Sequence, residues 1–415
     1  MTLNSNPRIS FVMATHNRRS VVLHTLDRIA ECGLAAADYE VVIVDNASTD
    51  GTCEAVEGRV SELIRMGRNL GSCAKTCALD RLKGEFVVFL DDDSHPRPGS
   101  IERMIKRFED DPSLGAAGFA VHLPDGRQES GALPGVFVGC GVGLRLEALR
   151  AVGGLDRTFF MQAEEYDLSF KLERAGWRVE VFDDLHVEHL KTAQSRKSNR
   201  TTYYDIRNNL RVIARHLPDP YYRIYRQETL LRYRWLAEFD GHETAYRRGA
   251  VEGCIRAPFE RFAHRSRRLT PALFERFYRL VEVESNMHAL ASTGVRRVVL
   301  AQFGKNICAF HRGAGRAGIE VVAIADDRFC APGRCYRGAP VVPLARGLEL
   351  TPDALVVANM SPVHARKGRQ ELLLKTSVPV YDWYGLPDER SSGGNRLIAP
   401  SITADKRPSA LPALV

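Results

Sequence analysis

The N-terminal part of the chain alternates short apolar runs with amphipathic segments. Three runs, at residues 9–14, 41–44 and 86–90, are almost free of polar side chains. Each is followed by a segment whose apolar residues have helical spacing. Unbroken runs of Val, Ile and Phe are typical of strands buried on both faces, as in a parallel sheet covered by helices. The pattern therefore predicts an α/β fold, in which ligands bind at the carboxyl ends of the strands.

The rest of the chain repeats this pattern after a helical interval. Apolar spacing is helical from about residue 201 to residue 291, where Pro218, Pro220, Pro258 and Pro271 predict breaks. A second alternation of strands and helices begins at Val298, and 415 residues exceed one ordinary domain. We expect a first α/β domain at residues 1–195, a basic, aromatic-rich helical segment at 196–292, a second, smaller Rossmann-like α/β domain at 293–388 and a flexible tail at 389–415.

Positive charge is concentrated in the middle of the chain. The formal net charge is +7, whereas residues 191–280 contain 20 Lys and Arg against 9 Asp and Glu, together with many Tyr residues and Trp235. Base rates favour an arginine-rich helical layer whose aromatic rings pack inward. The alternative is contact with anionic lipid, nucleic acid or a diphosphate-bearing substrate. Among macromolecular partners we expect no nucleic acid, and we leave open peripheral membrane contact and a homo-oligomer.

Cysteine use and hydropathy indicate the compartment. The nine cysteines show no paired spacing, so we expect reduced thiols. No basic, apolar leader precedes the first run, and nowhere do about eighteen apolar residues follow one another. These features predict a cytoplasmic protein, with the inner face of the membrane as a further location to consider.

An acidic run, Asp91, Asp92 and Asp93, follows the third apolar run. Side chains alternate along a strand, so we expect Asp91 and Asp93 on one face and Asp92 on the other. At about 5 Å, two carboxylates repel each other by roughly 3 kcal/mol, which a divalent cation or strong hydrogen bonds would offset. The spacing alone supports a hard-cation site and a solvated acidic turn about equally.

A second acidic cluster, with Glu164, Glu165 and Asp167, begins a predicted helix. Carboxylates in a first helical turn are stabilised by the helix dipole, which is a purely structural interpretation. The functional interpretation is that one of them, in an enclosed cleft and free of a salt bridge, accepts a proton from an attacking hydroxyl. Further along, His186 or His189 offers an imidazole to a metal, although single histidines are more often structural.

Polar side chains follow other strands as well. Asp45 and Asn46 end the second run, where a carboxylate can accept hydrogen bonds from a base or a ribose. Arg68, Asn69 and Lys75 offer cationic and amide donors. Such donors are the groups that proteins use to bind phosphate.

Several of these segments form an ordered series of motifs. They are Ala14-Thr-His-Asn-Arg18, Val44-Asp-Asn-Ala-Ser-Thr-Asp-Gly51, Arg68-Asn-Leu-Gly71, Phe89-Leu-Asp-Asp-Asp93, the stretch from Gly139 to Arg145, Gly153-Gly-Leu-Asp156 and Glu164-Glu-Tyr-Asp-Leu168 ahead of Ala175-Gly-Trp177. Each motif is weak, but their order is specific. Over about residues 8–193 the chain resembles the family 2 glycosyltransferases with the GT-A fold, a group that includes rhamnosyltransferase-like enzymes.

The resemblance implies a site for a nucleotide-sugar donor. Thr15, Asn17 and Arg18 would line the nucleotide pocket, and Asp45 would contact the base. Asp91 and Asp93 match the ends of the family's Asp-x-Asp motif, which binds the donor diphosphate through Mg²⁺ or Mn²⁺. We take His189 as a third metal ligand. The expected nucleotide-sugar site also includes Asn46, Asn69, Lys75 and Asp92.

The family's catalytic carboxylate corresponds to the Glu164-Glu165 pair, and Glu165 is the expected general base. Glutamate stands here where the family usually has aspartate, which lengthens the reach by one methylene and leaves Glu164 and Asp167 as rival bases. Thr76 and Cys77 occupy a place where the family commonly has Arg-Asn, so the donor is less well defined.

The function implied is that of an inverting glycosyltransferase that moves a sugar from a UDP- or dTDP-sugar to a glycan, lipid-linked or small-molecule acceptor. A cation would stabilise the departing diphosphate, and one base would deprotonate the acceptor. The alternative is a non-catalytic sugar-nucleotide-binding or scaffold protein. A nucleotidyltransferase is less well supported, because the first strand lacks a Gly-rich, Lys-bearing phosphate loop.

The second α/β domain resembles Rossmann-like modules that bind nucleotides or acyl carriers, over about residues 294–386. Its loop after the first strand, Gly304-Lys-Asn, lacks the repeated glycines that let a backbone approach a pyrophosphate. A structural or interaction role is at least as well supported.

Overall fold

The structure, a computed structural model, describes residues 6–191 and 198–383 of the chain. It confirms the α/β class: two sheets flanked by helices are joined by a helical layer. The predicted tail at 389–415 and the predicted boundary at residues 195 and 196 lie outside the described residues. Within the two described ranges, no helix combines the length and apolar character that crossing a membrane requires.

The first sheet is parallel on one side and mixed on the other. Its strands are β1 (Ile9–Thr15), β2 (Tyr39–Asp45), β3 (Glu62–Arg65), β4 (Phe86–Asp91), β5 (Ser94–Pro96), β6 (Leu114–His122), β7 (Gln128–Glu129), β8 (Gly141–Arg145) and β9 (Arg178–His189). They lie in the order β3-β2-β1-β4-β8-β6-β9-β5, and β7 pairs with β6. Strands β1, β2 and β4 form parallel pairs, as predicted; β3, which was not predicted, pairs parallel to β2, and β8 runs antiparallel to β4.

Strand β8 therefore corrects the expectation of a fully parallel sheet. Two of its five residues are glycines, which weaken a strand interior and hide it from a hydrophobic pattern. Gly143 makes room for the helix that contains Met104, since a Cβ there would lie 2.1 Å from the sulfur of Met104 and would force that side chain to move. The close packing of this helix on the sheet, rather than strand propensity, accounts for the glycine at this position.

Helices cover both faces of the first sheet. They are α1 (Arg19–Ala30), α2 (Thr52–Val56), α3 (Ser100–Asp110), α4 (Leu146–Ala151) and α5 (Glu164–Arg174), with a 3-10 segment at Gly71–Arg81. Helix α3 shows the rule that places them: Ile101, Met104 and Phe108 recur at helical spacing and are all buried. The Phe108 ring stacks on Phe86 of β4, with ring centroids 4.8 Å apart.

The helical layer contains α6 (Asn199–His216), α7 (Tyr221–Asp240), α8 (Glu243–Ala263), α9 (Pro271–Phe277) and α10 (Leu280–Ser292). Pro218 and Pro220 separate α6 from α7, and Pro271 begins α9, as predicted. The predicted break at Pro258 is wrong, because this residue lies inside α8. A proline costs a helix interior about 3 kcal/mol, which the packing of α8 on α6 must offset. Inward packing of the aromatic rings is found at Tyr221, Tyr225, Tyr233 and Trp235, all of them buried.

The second sheet is smaller. Its strands are β10 (Arg297–Ala301), β11 (Glu320–Ala325), β12 (Cys335–Tyr336), β13 (Ala339–Val342), β14 (Ala354–Val357) and β15 (Val380–Tyr381), and its helices are α11 (Ile307–Arg316), α12 (Leu344–Glu349) and α13 (Pro362–Leu373). The order is β12-β13-β11-β10-β14-β15, parallel except for β12. A continuous apolar core links all three parts: Phe170 of α5 meets Phe277 of α9 at 4.8 Å, and Trp235 of α7 meets Phe303 beyond β10 at 4.9 Å, between ring centroids.

Candidate functional site

The carboxyl ends of β1, β2 and β4 lie side by side at one edge of the first sheet. Thr15 pairs in register with Asp45, and Ala14 pairs with Asp91. The polar residues that follow these strands are therefore neighbours in space although they are far apart in sequence. This is the edge at which open α/β sheets bind ligands.

The acidic run divides between two cationic partners. Strand β4 ends at Asp91, whose Oδ1 accepts from Lys75 Nζ at 2.7 Å. Asp92 and Asp93 lie in the turn that follows, and both pair with Arg18, at 2.9 Å and 2.7 Å. The expected alternation is therefore wrong, because the extended backbone on which it depends stops at Asp91.

Asp93 and Asp91 nevertheless both approach His189, at the end of β9. His189 Nε2 lies 3.3 Å from Asp93 Oδ1, and its Nδ1 lies 2.7 Å from an oxygen of Glu129. Asp91, Cys140 and His189 each offer a ligand atom, and these atoms lie within 4.8 Å of one another. The three residues expected at the metal thus converge, whereas sequence reasoning missed Glu129 and Cys140.

The donor set fits a hard divalent cation. Asp91 is the carboxylate of that cluster, and Asp93 and Glu129 each bring a carboxylate oxygen close to His189. Carboxylate oxygens are the ligands that Mg²⁺ and Mn²⁺ prefer. Burial raises the pKa of Cys140 to about 11, so this thiol stays neutral and is a poor ligand for such an ion. Burial opposes charge on His189, but hydrogen bonds to Asp93, Cys140 and Glu129 raise its pKa well above the usual range. A cation that took His189 as a ligand would therefore displace a proton.

Among the expected nucleotide-binding residues, Asp45 and Asp92 are both buried. Asp45 Oδ1 accepts from the Ser48 N–H at 2.8 Å, and its Oδ2 has no hydrogen-bond partner within the described ranges. Asp92 Oδ2 accepts from Thr15 Oγ1 at 2.7 Å. Burial outweighs the attraction of Arg18 and raises the pKa of Asp92 to about 7. A buried carboxylate oxygen without a donor, as in Asp45, suits a ligand that brings its own N–H or O–H.

Other expected residues shape the loops around this edge. Asn46 holds the segment after β3: its Oδ1 accepts from the Leu70 N–H at 2.9 Å, and its Nδ2 donates to the Gly71 carbonyl at 3.1 Å. Asn69 Oδ1 accepts from the Gly71 N–H at 2.8 Å. Asn17, at a positive φ of 52°, accepts from the backbone N–H of Thr49 at 2.7 Å. The side-chain amides of these three asparagines hold backbone groups of the loops.

The three candidate bases lie in the first turn of α5 and differ in their partners. Glu164 is buried; its Oε1 accepts from Ser72, and its Oε2 has no hydrogen-bond partner within the described ranges. The Glu165 side chain is half-buried, and within residues 6–191 and 198–383 it makes no ion pair and no hydrogen bond to another side chain. Burial and the neighbouring charge of Glu164 raise the pKa of Glu165 above the ordinary glutamate range. A free carboxylate of raised pKa is suited to accept a proton near neutral pH.

Asp167 has the opposite environment. It is buried against His216 Nε2 at 2.8 Å, Arg215 at 3.3 Å and Lys171 at 3.3 Å. Burial alone would raise the pKa of Asp167, but the charge of Lys171, the hydrogen bond from His216 and the charge of Arg215 together hold this pKa far below its usual range. A carboxylate with so low a pKa stays ionised and is a weak proton acceptor near neutral pH. Asp167 is therefore the least suited of the three candidate bases.

A strained loop leads into α5. Phe160, Gln162 and Ala163 all have positive φ, between 66° and 70°. Asn208 of α6, which is fully buried, donates through Nδ2 to the carbonyls of Phe159, Met161 and Gln162 at 3.0, 2.7 and 2.9 Å. One amide on the helical layer therefore secures the loop that sets the direction of the acidic turn.

The second domain also reaches this region. Lys305, in the loop after β10, donates to Asn209 Oδ1 at 3.2 Å and to Tyr166 Oη at 3.5 Å. Its Nζ lies 4.5 Å from the centroid of the Tyr166 ring, and its charge acts on Glu165. The Gly304-Lys-Asn motif drew attention in the sequence only for its missing glycines. No sequence signal links it to α5, which lies more than a hundred residues away.

Comparison with known proteins identifies the family. Residues 10–134 match the family model described as glycosyl transferase family 2, and residues 116–248 match glycosyl transferase family group 2. The chain is 24% identical to the putative teichuronic acid biosynthesis glycosyltransferase TuaG of Bacillus subtilis; the match covers 33% of this chain and 61% of TuaG. It is 27% identical to N-acetylglucosaminyl-diphospho-decaprenol L-rhamnosyltransferase of Mycobacterium tuberculosis; this match covers 36% of this chain and 66% of the relative.

The chain thus spans just under two thirds of each of these two relatives. A solved structure of the mannosyltransferase PcManGT from Pyrobaculum calidifontis, in complex with GDP-Man and Mn²⁺, is 21% identical, with a TM-score of 0.45; the match covers 62% of this chain and 88% of the other. The two family matches together run without a gap from residue 10 to residue 248. This matched part of the chain therefore belongs to the family 2 glycosyltransferases.

Proposed function

We propose that this protein is an inverting glycosyltransferase that uses a UDP- or dTDP-sugar donor and a divalent cation. The observation that supports this most strongly is the acidic turn of α5, in which Glu165, a carboxylate of raised pKa, directly follows Glu164, the residue on which the charge of Asp91 acts. The charges of Lys75 and Asp91 act on Glu164, which places the acidic turn of α5 beside the strand ends. A base and a diphosphate site on neighbouring elements are what direct displacement at a sugar requires.

In the proposed complex, the strand ends bind the donor. Asp45 offers its free oxygen to the base, and Asn17 and Arg18 lie at the entrance of α1 near the nucleotide. Asp91, Asp93, Glu129 and His189 would hold Mg²⁺ or Mn²⁺. Such a cation, when bound, neutralises charge that develops on the departing diphosphate.

Glu165 then acts on the acceptor. It takes the proton from the attacking hydroxyl, whose oxygen forms the new bond to the anomeric carbon as the bond to the diphosphate breaks. The proton remains on the Glu165 carboxyl, and the charge leaves with the nucleoside diphosphate. A single displacement of this kind inverts the anomeric configuration. We propose a lipid-linked acceptor, because the mycobacterial relative is named for a diphospho-decaprenol substrate.

One observation favours a second candidate, a sugar-nucleotide-binding protein without turnover. Arg18 pairs with both Asp92 and Asp93 and so neutralises a carboxylate that the enzyme needs for its cation. If that pairing persists with nucleotide bound, the cation is excluded. The enzyme proposal requires that Arg18 move to the phosphates.

The test is hydrolysis and transfer over a panel of UDP- and dTDP-sugars with Mn²⁺ or Mg²⁺. We expect turnover with one donor and its loss on chelation by EDTA. Asp93→Ala should abolish the metal-dependent gain in nucleotide affinity, whereas the control Asp110→Ala, on the exposed end of α3, should keep it. Nucleotide binding without turnover of any donor would instead support the binding protein.

A further inference from the structure

Helix α8 presents two unlike faces. Toward α6 it places small residues, Ala245, Gly249, Gly253 and Ala257, at intervals of four, and all are buried. A Cβ at Gly249 would lie 2.4 Å from the carbonyl oxygen of Tyr203, so nothing larger than glycine fits there. The backbones of α8 and α6 are therefore in close contact, and this contact, rather than large apolar side chains, holds the two helices together.

The large apolar side chains of α8 point the other way. Val251, Ile255, Phe259 and Phe262 have exposed fractions of 59%, 63%, 73% and 71%. Their spacing of four, four and three residues places them on one side of the helix. An amphipathic helix of a soluble domain normally buries such residues, and a contiguous exposed set of them marks an interaction surface. We call these four residues the outer face of α8.

Arginines surround the outer face. Arg265 stacks on Phe262, with 4.7 Å from the guanidinium carbon to the ring centroid. Of the three acidic residues on α8, Glu243 is exposed in the first turn, Glu252 contacts Tyr203 and Arg256, and Glu260 is enclosed by buried arginines of α6. The exposed arginines of this region are Arg247, Arg248, Arg256, Arg265 and Arg267.

We propose that the outer face of α8 docks on the surface of an anionic membrane. The four apolar side chains would enter the boundary between headgroups and acyl chains, with the helix lying parallel to the surface. The surrounding arginines would contact lipid phosphates, while their aliphatic stems stay in the apolar layer. This inference goes beyond sugar transfer and does not depend on it.

The positive charge around the outer face of α8 favours a membrane over a second copy of the chain as its binding partner. In a two-fold symmetric dimer the same patch would face itself, which would bring Arg247 and Arg248 of one copy close to the arginines of the other. Few exposed carboxylates of α8 are available to neutralise them. An anionic lipid surface supplies the missing negative charge and the apolar environment together.

The test is flotation of the whole purified chain with vesicles of phosphatidylcholine alone or with about 30% phosphatidylglycerol. We expect binding to the anionic vesicles that weakens strongly from about 0.1 M to about 1 M NaCl, as the Debye length shrinks from about 10 Å to about 3 Å. Replacing both aromatic side chains, Phe259→Ser with Phe262→Ser, should lower the partition coefficient by about tenfold or more. Arg247→Gln with Arg248→Gln should remove most of the salt dependence.

The matched control is Val281→Ser with Leu374→Ser, which removes two apolar side chains that are 61% and 89% exposed elsewhere. It should float like the wild type. All substituted positions are exposed, so each variant should fold, which circular dichroism and thermal unfolding would verify. Absence of wild-type flotation, or equal flotation of the Phe259 and Phe262 variant, would overturn the proposal. So would a wild-type dimer, seen by light scattering, that this variant dissociates, since a second copy would then occupy the face.

Discussion

The first turn of α5 contains three carboxylates that are near neighbours in sequence but have different environments. Asp167 points into the molecule, where His216, Arg215 and Lys171 neutralise it. Glu164 shares a hydrogen bond with Ser72. Glu165 is the one of the three whose side chain makes no ion pair and no hydrogen bond to another side chain within the described part of the chain. Environment, rather than residue type, separates a structural carboxylate from a candidate base.

The raised pKa of Glu165 predicts how activity depends on pH. The carboxylate form is the base, so activity is present above its pKa and is lost as pH falls through it. Because that pKa is raised, the acidic limb of kcat/KM should lie above the range of an ordinary glutamate near 4.3. A pH–rate profile measures this, and a limb at or below pH 5 would show that another group is the base.

The ion pairs of Asp167 predict a stability effect instead. Asp167→Asn removes the carboxylate that His216, Arg215 and Lys171 share, and we expect a loss of about 3 kcal/mol in the free energy of unfolding. Denaturant titration should show it as a lower midpoint at an unchanged slope. Glu165→Gln is the comparison, and its stability should stay within about 0.5 kcal/mol of wild type. Equal stability of the two variants would contradict the assignment.

At the scale of elements, Asn208 connects the helical layer to the loop before α5. Asn208→Ala removes the side-chain donor from the carbonyls of Met161 and Gln162, whereas the Phe159 carbonyl keeps Arg207, and we expect a loss of about 1 to 3 kcal/mol in stability. The loop should then relax, so kcat should fall while nucleotide affinity, which depends on the strand ends, stays unchanged. Thermal unfolding, turnover and nucleotide titration measure the three quantities. A parallel loss of affinity would indicate general damage instead.

Elements with strong local patterns could be predicted, and those defined by tertiary contacts could not. Strands β1, β2 and β4 and helix α5 appear at nearly their predicted positions, because unbroken apolar runs and helical spacing are local signals. Strand β8 was missed because its glycines serve packing against Met104. The strand alternation expected across the acidic run does not apply, because β4 ends at Asp91 and Asp92 lies in a turn, which the sequence offered only as one of two interpretations. Asp91, Asp93 and His189, which the sequence suggested as metal ligands, lie close together in the structure. Glu129 and Cys140 were not expected there, because they come close only through the pairing of strands that are far apart in sequence.

At the scale of the whole molecule, the second domain contributes a charge to the first. Lys305 lowers the pKa of Glu165, against the larger opposing effects of burial and Glu164. Lys305→Met should therefore raise that pKa further and move the acidic limb of the pH–rate profile to higher pH. The control Lys367→Met, on the exposed side of α13, should leave the profile in place. An unshifted limb in the Lys305 variant would show that the domains are only packed together.

The most direct test of the central claim is a single-turnover measurement with Glu165→Gln, paired with a titration of UDP in Mn²⁺. The matched control is Glu147→Gln, at an exposed position in α4. If Glu165 is the base, product formation should fall by about a hundredfold or more while the affinity for UDP with Mn²⁺ is unchanged. Undiminished product formation in Glu165→Gln would contradict the proposed mechanism.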